Sequence, residues 1–369
     1  MKWLGLVVIL LGSFSTVILQ TEAGIYAVVW SPDQTQIATG FTDGSIAIWD
    51  VLDGKIVDQY QAHQGEAFTI DWYDFYIASG GADGAITIWH SVERTLQKLQ
   101  VNDSAHPFSA ILSIAWSPNG AYLAAGDAFG TVYLWEVETQ HLQELRGQDQ
   151  WIFSIAWSGN SDQLAATGGE GVIIWDVQSG EIVDQLSTVN PSSLVWNPHN
   201  HNLAVGDFEG NIYLWEVMGD DILNEYPAHT DEITDLAWDP YQDRLMSVGH
   251  DGMIKIWEGS SGVLIETLVT NTLFNSIDLT RYGTQLALTG ISRANGPIDL
   301  LQTEGSTSRF IGTSPIQQVI LNPTETGLRK VAQSCLGDET LSDRTLENIF
   351  DRLDPLCAAE LTTAFTFVR

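Results

Sequence analysis

The chain has 369 residues, 44% of them hydrophobic, with 47 acidic against 15 basic residues and a formal net charge of −32. A field of that sign repels nucleic acid and anionic lipid headgroups, and no basic run exceeds Arg329-Lys330, so polyanion partners are excluded. The 14 tryptophans are many for so acidic a chain, and their placement governs everything that follows.

In chain order, the N-terminus comes first. Lys2 precedes an apolar or small stretch from Trp3 to Leu19. A short core, Trp3–Leu11, followed by Gly12-Ser13-Phe14-Ser15, has the form of an export signal over residues 1–15, with small residues at both cleavage-determining positions. A cut after Ala23 also satisfies the rule, and an uncleaved segment is barely long enough to anchor in a bilayer. The expectation is an exported protein, periplasmic, extracellular or tethered to the membrane by this segment alone. A cytoplasmic protein whose apolar N-terminus is a buried strand is the alternative.

From residue 25 the chain repeats. One apolar strand recurs as YAVVWSP at Trp30, FTIDWYD at Trp72, LSIAWSP at Trp116, FSIAWSG at Trp157, SSLVWNP at Trp196 and TDLAWDP at Trp238, with weaker copies at Leu279 and Leu321. A second recurs as IAIWD at Trp49, ITIWH at Trp89, VYLWE at Trp135, VIIWD at Trp175, IYLWE at Trp215 and IKIWE at Trp257. Between them lies a third run, such as QIATGF before Thr42-Asp43-Gly44, where Asp-Gly marks a tight hairpin. A fourth run follows each Trp strand, as Glu181–Leu186 does after Ser179-Gly180. Four short strands per period of about 40 residues predict small antiparallel sheets stacked in an array. Twelve of the 14 Trp fall at the same two phases, as core wedges do and cofactor contacts do not.

This pattern resembles the WD-repeat (WD40) β-propellers over roughly residues 25–302. The resemblance implies an all-β, seven-bladed propeller, with eight blades left open. It also implies a structural tetrad of His, Ser/Thr, hairpin Asp and Trp. Two repeats carry it whole: His63, Ser79, Asp83 and Trp89; His229, Ser247, Asp251 and Trp257. The first repeat keeps Thr39, Asp43 and Trp49, and the fourth keeps Thr167 and Trp175 with Glu170 in the hairpin. Ala125 and Val205 replace the hydroxyl residue in the third and fifth. A seventh third strand is expected at Pro297–Gln302 with Leu301 in the Trp slot, and residues 15–20 are placed to supply the last blade's fourth strand. An eighth blade would draw on Gln317–Leu321, Leu328–Gln333 and Thr363–Val368. The propeller is bounded at residues 16–323.

Residues 324–369 form a C-terminal extension holding both cysteines, Cys335 and Cys357. An even count in an exported chain suggests one disulfide. Between them a helix is predicted, capped by Ser342 and lined by Leu346, Ile349, Phe350 and Leu353.

The search for chemistry finds no phosphate-cradling glycine loop, no Gly-x-Gly-x-x-Gly, no His-Glu-x-x-His and no Gly-x-Ser-x-Gly, so no cofactor and no metal is expected. His199 and His201 read as a polar turn. The leading reading is a non-enzymatic scaffold that binds protein or peptide ligands on one propeller face, a use that the resemblance implies. Candidate contacts are Trp151, His106, Phe108, Phe129 and Phe208, in the loops and hairpins of that face. The alternative is an exported propeller enzyme or metal-dependent hydrolase with a ring of carboxylates (Asp43, Asp83, Asp127, Asp207, Asp251) at the channel mouth. Convergence of those five would favour the second reading; separation and turn-capping would remove its basis.

Overall fold

In six successive sheets one cross-strand row reads Trp, Ile or Leu, Trp: Trp30–Ile37–Trp49, Trp72–Ile77–Trp89, Trp116–Leu123–Trp135, Trp157–Leu164–Trp175, Trp196–Leu203–Trp215 and Trp238–Leu245–Trp257. Directly paired residues share a face of a pleated sheet, so both indoles of each repeat point the same way. The computed structural model describes residues 4–8, 18–21, 24–51, 55–101, 109–148, 150–169, 171–187, 190–219, 222–270, 272–280, 286–292, 310–311 and 318–319.

Each sheet is a meander of four antiparallel strands. Blade 1 is Ile25–Trp30, Gln36–Phe41, Ser45–Asp50 and Ile56–Gln61. Blade 2 is Ala67–Tyr73, Tyr76–Gly81, Ala85–His90 and Thr95–Gln100. Blade 3 is Ile111–Trp116, Tyr122–Asp127, Val132–Glu136 and His141–Leu145. Blade 4 is Ile155–Trp157, Gln163–Gly168, Gly171–Asp176 and Ile182–Ser187. Blade 5 is Pro191–Trp196, Asn202–Asp207, Asn211–Glu216 and Ile222–Pro227. Blade 6 is Ile233–Trp238, Arg244–Gly249, Met253–Glu258 and Leu264–Val269.

The seventh sheet is built differently. Its first two strands are Thr272–Leu279 and Leu286–Ser292, its third is Leu4–Val8, and its outermost is Ile18–Thr21. The third position is therefore taken by an N-terminal apolar run paired antiparallel to Leu286–Ser292, and not by Pro297–Gln302. The fourth position falls to Ile18–Thr21, in the stretch expected to supply it. A cut after Ser15 would remove the third strand and leave the fourth. First strands touch in sequence around a circle, and that of blade 7 touches that of blade 1, so the ring closes at seven without an eighth blade. Residues Phe310–Ile311 and Gln318–Val319 form a separate two-stranded pair. Cys335, Cys357, the predicted helix at 342–353 and Pro297–Gln302 lie outside the described residues.

The twelve repeat tryptophans are all buried. Each blade's indole row packs on small residues of the preceding blade: Ala38 faces Trp72 and Trp89, Ala124 faces Trp157 and Trp175, Ala165 faces Trp196 and Trp215, and Ala204 faces Trp238 and Trp257. Alanine removes the bulk that two indoles need. Met246 holds the same place in blade 6, where its neighbour brings Leu279 in the first-strand Trp slot, paired with Leu286, and the longer side chain fills the space. The outer ends of the rows are roofed by the preceding blade's fourth strand. Tyr60 stacks on Trp89 at 4.3 Å and 13°, and Tyr226 lies 4.8 Å from Trp257.

Polar bonds tie the blades together nearer the axis. Thr69 Oγ1 accepts the Ile114 amide (3.1 Å), Ser113 Oγ that of Ile155 (3.0 Å) and Ser154 Oγ that of Leu194 (3.2 Å). These three donor–acceptor pairs recur because Thr69, Ser113 and Ser154 each sit three residues before the first-strand Trp. A buried backbone amide without such a partner would cost about 1–3 kcal/mol.

Candidate functional site

One face of the ring is made by the second-to-third-strand hairpins and by the crossovers that lead from each fourth strand to the next first strand. The two sets of loops hold each other. The Gly44 carbonyl accepts the Ala62 and His63 amides (3.1 and 3.0 Å), and the Gly210 carbonyl accepts those of Ala228 and His229 (both 2.8 Å). Gly44 has φ 81°, and a Cβ there would come within 2.4 Å of the His63 carbonyl oxygen, so glycine is required.

The tetrads are local fasteners of this face. In blade 6, His229 Nδ1 lies 2.9 Å from Asp251 Oδ1, His229 Nε2 lies 2.7 Å from Ser247 Oγ, and Trp257 Nε1 donates to Ser247 Oγ at 2.9 Å. Burial pulls the Asp251 carboxyl upward, but the bonds from His229, Thr230 and Met253 hold it below the usual carboxylate range. Blade 2 departs from the expected tetrad. His63 bonds Asp83 (2.9 Å) and Ser79 (2.8 Å), but Ser79 Oγ meets Thr87 Oγ1 at 2.7 Å, and Trp89 Nε1 has no hydrogen-bond partner. The cause is Thr87, cross-strand from Ser79, which occupies the hydroxyl that the indole would reach. Blade 1 keeps only its inner link, Trp49 Nε1 to Thr39 Oγ1 at 2.9 Å.

Blades 3 and 5 replace the tetrad with a different device. Asp127 Oδ1 accepts the Phe129 and Thr131 amides (2.9 and 2.8 Å), and its Oδ2 accepts the Tyr133 hydroxyl (3.2 Å). Asp207 likewise accepts the Glu209 and Asn211 amides (2.9 and 2.7 Å) and the Tyr213 hydroxyl (3.1 Å). Ala125 and Val205, the residues that break the tetrad, pair directly with these tyrosines. In blade 4, Gln148 stands nine residues before Trp157, as His63 does before Trp72. Its amide donates to the Ala166 and Gly171 carbonyls, both at 3.3 Å. Glu170 lies outside the described residues.

The five carboxylates expected to ring the channel mouth do not converge. Asp83 and Asp251 are bound to histidines, Asp127 and Asp207 to tyrosines, and Asp43 Oδ1 accepts the Ser45 amide and hydroxyl (2.9 and 2.7 Å). Among the described residues no three His, Cys, Asp or Glu side chains are grouped to hold a metal ion. The hydrolase reading loses its geometric basis there.

Carboxylates do line the channel, but they are others. A cavity of ≈ 490 Å³ runs along the first strands, and Asp71, Asp235 and Asp278 face it. Each bridges to the following blade: Asp71 Oδ2 accepts the Trp116 amide (2.6 Å), Asp235 Oδ2 that of Ile277 (2.9 Å) and Asp278 Oδ2 that of Trp30 (2.7 Å). Burial pushes Asp71 and Asp235 up to about 6. Burial raises Asp278 to about 7, with the charges of Asp71 and Asp235 adding to the rise against the pull of the Trp30 amide. Sequence reasoning missed all three. The signal was their phase: Asp71 and Asp278 immediately precede the first-strand Trp slot, and Asp235 is three before it.

Of the predicted contact residues, three are placed on the loop face and exposed: Trp151 (58%), Phe129 (50%) and Phe208 (36%). Trp151 lies in the crossover into blade 4, fixed by the Ile152 amide donating to the Asp127 carbonyl (3.0 Å) in the hairpin that carries Phe129. Phe153, also missed, joins two of them. Its ring meets Trp151 edge-on at 5.5 Å and 83°, and Phe208 at 5.1 Å and 71°. The three rings and Pro191 border a small hollow of ≈ 50 Å³. His106 and Phe108 lie outside the described residues.

The model of the family described as the IFT122 first beta-propeller matches residues 24–301. The chain is 27% identical over 242 residues to the anaphase-promoting complex subunit cdc20 of Dictyostelium discoideum, covering 62% of this chain and 46% of that protein. It is 28% identical to actin-interacting protein 1 of Drosophila melanogaster (63% and 40% covered) and 23% identical to the WD repeat-containing protein slp1 of Schizosaccharomyces pombe (66% and 52% covered). The chain thus spans about half the length of the curated relatives it matches.

Proposed function

The chain belongs to the WD-repeat β-propellers, in the family of the IFT122 first propeller, and on that premise we propose that it is a non-enzymatic scaffold whose loop face docks protein or peptide partners. The observation that carries the reading is Trp151, the one described tryptophan outside the two repeating slots, held 58% exposed against Phe153. An indole that the core does not need, fixed beside a hollow, is the kind of anchor on which interfaces concentrate their energy. The relatives named for an anaphase-promoting complex and for actin interaction are proteins defined by what they bind, which supports the same class of role. Fold alone does not assign a partner.

The test compares partner capture by the native protein, Trp151→Ala and a control on the opposite face, Phe75→Ala. Phe75 is 49% exposed in the first-to-second-strand turn of blade 2. The expected result is loss of capture with Trp151→Ala alone at unchanged melting temperature. Equal recovery with all three proteins would remove the loop face from the account. Export or tethering through residues 1–15 is proposed on the composition of that segment and competes with the place of Leu4–Val8 as the third strand of blade 7; mass spectrometry of the mature N-terminus tests cleavage, since a start at Met1 keeps that strand and a start at Thr16 removes it.

A further inference from the structure

The aromatic cluster does not stand alone on its face. The hairpin that carries Phe208 continues into Glu209 and Gly210, and Gly210 is pressed against the crossover into blade 6. A Cβ at Gly210 would come within 2.8 Å of the Asp231 carbonyl oxygen. Glu209 and Asp231 are both exposed, and Glu232 follows beside them, paired with His250. A strip therefore runs from blade 4 to blade 6: Trp151, Phe153, Phe208, Glu209, Asp231. Elsewhere on this face Asp43 is exposed and Glu66 partly so.

Described cations are few on this face. Among the described residues, Arg146 is the one Lys or Arg in a hairpin or crossover of this face, and it is bonded to Glu144 at 2.6 Å. Lys255 is turned inward, donating to the Ala228 carbonyl beneath the Trp257 ring. Arg94 pairs with Asp58, Lys55 and Arg244 sit at the other ends of the strands, and Lys98 lies within the fourth strand of blade 2. The excess of negative charge in the chain as a whole is thus matched locally, next to an apolar anchor site, by a strip whose described charged side chains, Glu209 and Asp231, are both acidic.

We infer that the partner is a basic polypeptide segment carrying an aromatic or large aliphatic anchor, which seats on Trp151, Phe153 and Phe208 while its Lys or Arg side chains lie along Glu209 and Asp231. This rests on the docking reading above and adds the partner's chemistry to it. The two halves of the contact do different work. The rings supply desolvated area and hold the complex together. The carboxylates are exposed, so each ion pair adds little to affinity, but their field speeds encounter and rejects acidic segments.

The experiment uses the full chain and three dye-labelled twelve-residue probes that differ only around one central Trp: flanked by Lys, by Gln, or by Glu. Binding is read by fluorescence polarisation at low and at moderate salt. The Lys probe is expected to bind about fivefold tighter than the Gln probe at low salt, the yield of two exposed ion pairs, and the gap should narrow as salt rises. The double variant Glu209→Lys, Asp231→Lys should reverse the order of the Lys and Glu probes, and Trp151→Ala should weaken all three, with melting temperatures unchanged. Equal binding of Lys and Gln probes, with loss on Trp151→Ala, would overturn the basic partner and leave the docking face standing. Lys-probe binding indifferent to both sets of substitutions would mean diffuse attraction to an acidic protein and would overturn the assignment. Binding of no probe would overturn the inference and count against the docking face as well.

Discussion

The channel carboxylates make a prediction whose size follows from their surroundings. Asp278 is pushed from 3.8 up to about 7 in the folded protein. The native state therefore keeps a proton that the unfolded chain has already released, and this group's contribution to stability is fully present below about pH 4 and lost as pH rises through about 7. At about 1.4 kcal/mol per pH unit the whole displacement corresponds to a ceiling of about 4 kcal/mol. Asp278→Asn imitates the protonated acid. It keeps one oxygen to accept the Trp30 amide, which Asp278 Oδ2 holds at 2.7 Å, and it carries no charge at any pH. Urea unfolding of both proteins at several pH values between 5 and 8 gives the difference in stability. The variant should exceed the native protein by about 1.5 kcal/mol at pH 5 and by up to about 4 kcal/mol at pH 8, an advantage that widens by about 2.5 kcal/mol across the range. Asp239, raised to about 6, titrates in both proteins and cancels in the difference, whereas the repulsion of Asp278 by Asp71 and Asp235 is part of the rise that the variant removes. A difference that does not change between pH 5 and pH 8 would refute the claim that Asp278 is held protonated by its site.

Two further outcomes follow from the loop face. Ser247→Ala should lower stability by about 2–3 kcal/mol, because His229 and Trp257 lose the same buried hydroxyl; a melting temperature equal to that of the native protein would show the blade 6 tetrad to be idle. Gly81→Ala should destabilise more than Gly168→Ala in thermal melts. A methyl at Gly81 would meet the His63 ring at 2.5 Å and the Glu66 carbonyl oxygen at 2.8 Å, whereas at Gly168 it meets the end of the flexible Gln148 side chain, which can yield at the cost of its two 3.3 Å hydrogen bonds.

The ring was legible because its core is periodic. Two indoles per repeat at fixed phase announce both the strands and the face on which they meet, and the register bears this out in Trp30–Ile37–Trp49 and its five copies. Hairpin aspartates were legible for the same reason. Their roles were not, since the partner is cross-strand and not adjacent in sequence. Thr87 diverts Ser79 from Trp89, and Tyr133 gives Asp127 a ligand, through pairings that depend on register. The channel acids were not legible because an aspartate next to glycine announces a turn, whereas an aspartate near the first-strand Trp carries no local sign of the axis it faces. Trp151, Phe129 and Phe208 stood out as aromatics in loops; Phe153 did not, because it sits at the edge of a strand and reads as core. The third strand of blade 7 comes from Leu4–Val8, at the far end of the chain from the strand it joins, and no local pattern could assign that pairing.

The alanine beneath each pair of indoles sets more than a local fit. Blades arranged in a closed circle must share one full turn among them, so the wedge angle at any junction is fixed by the remaining six. A bulkier residue at Ala124 or Ala204 cannot be absorbed by splaying that junction alone, since every other one would have to narrow against side chains already in contact. An open solenoid would simply bend. Here the circumference acts as a common constraint, and volume added between two blades is felt on the far side of the axis.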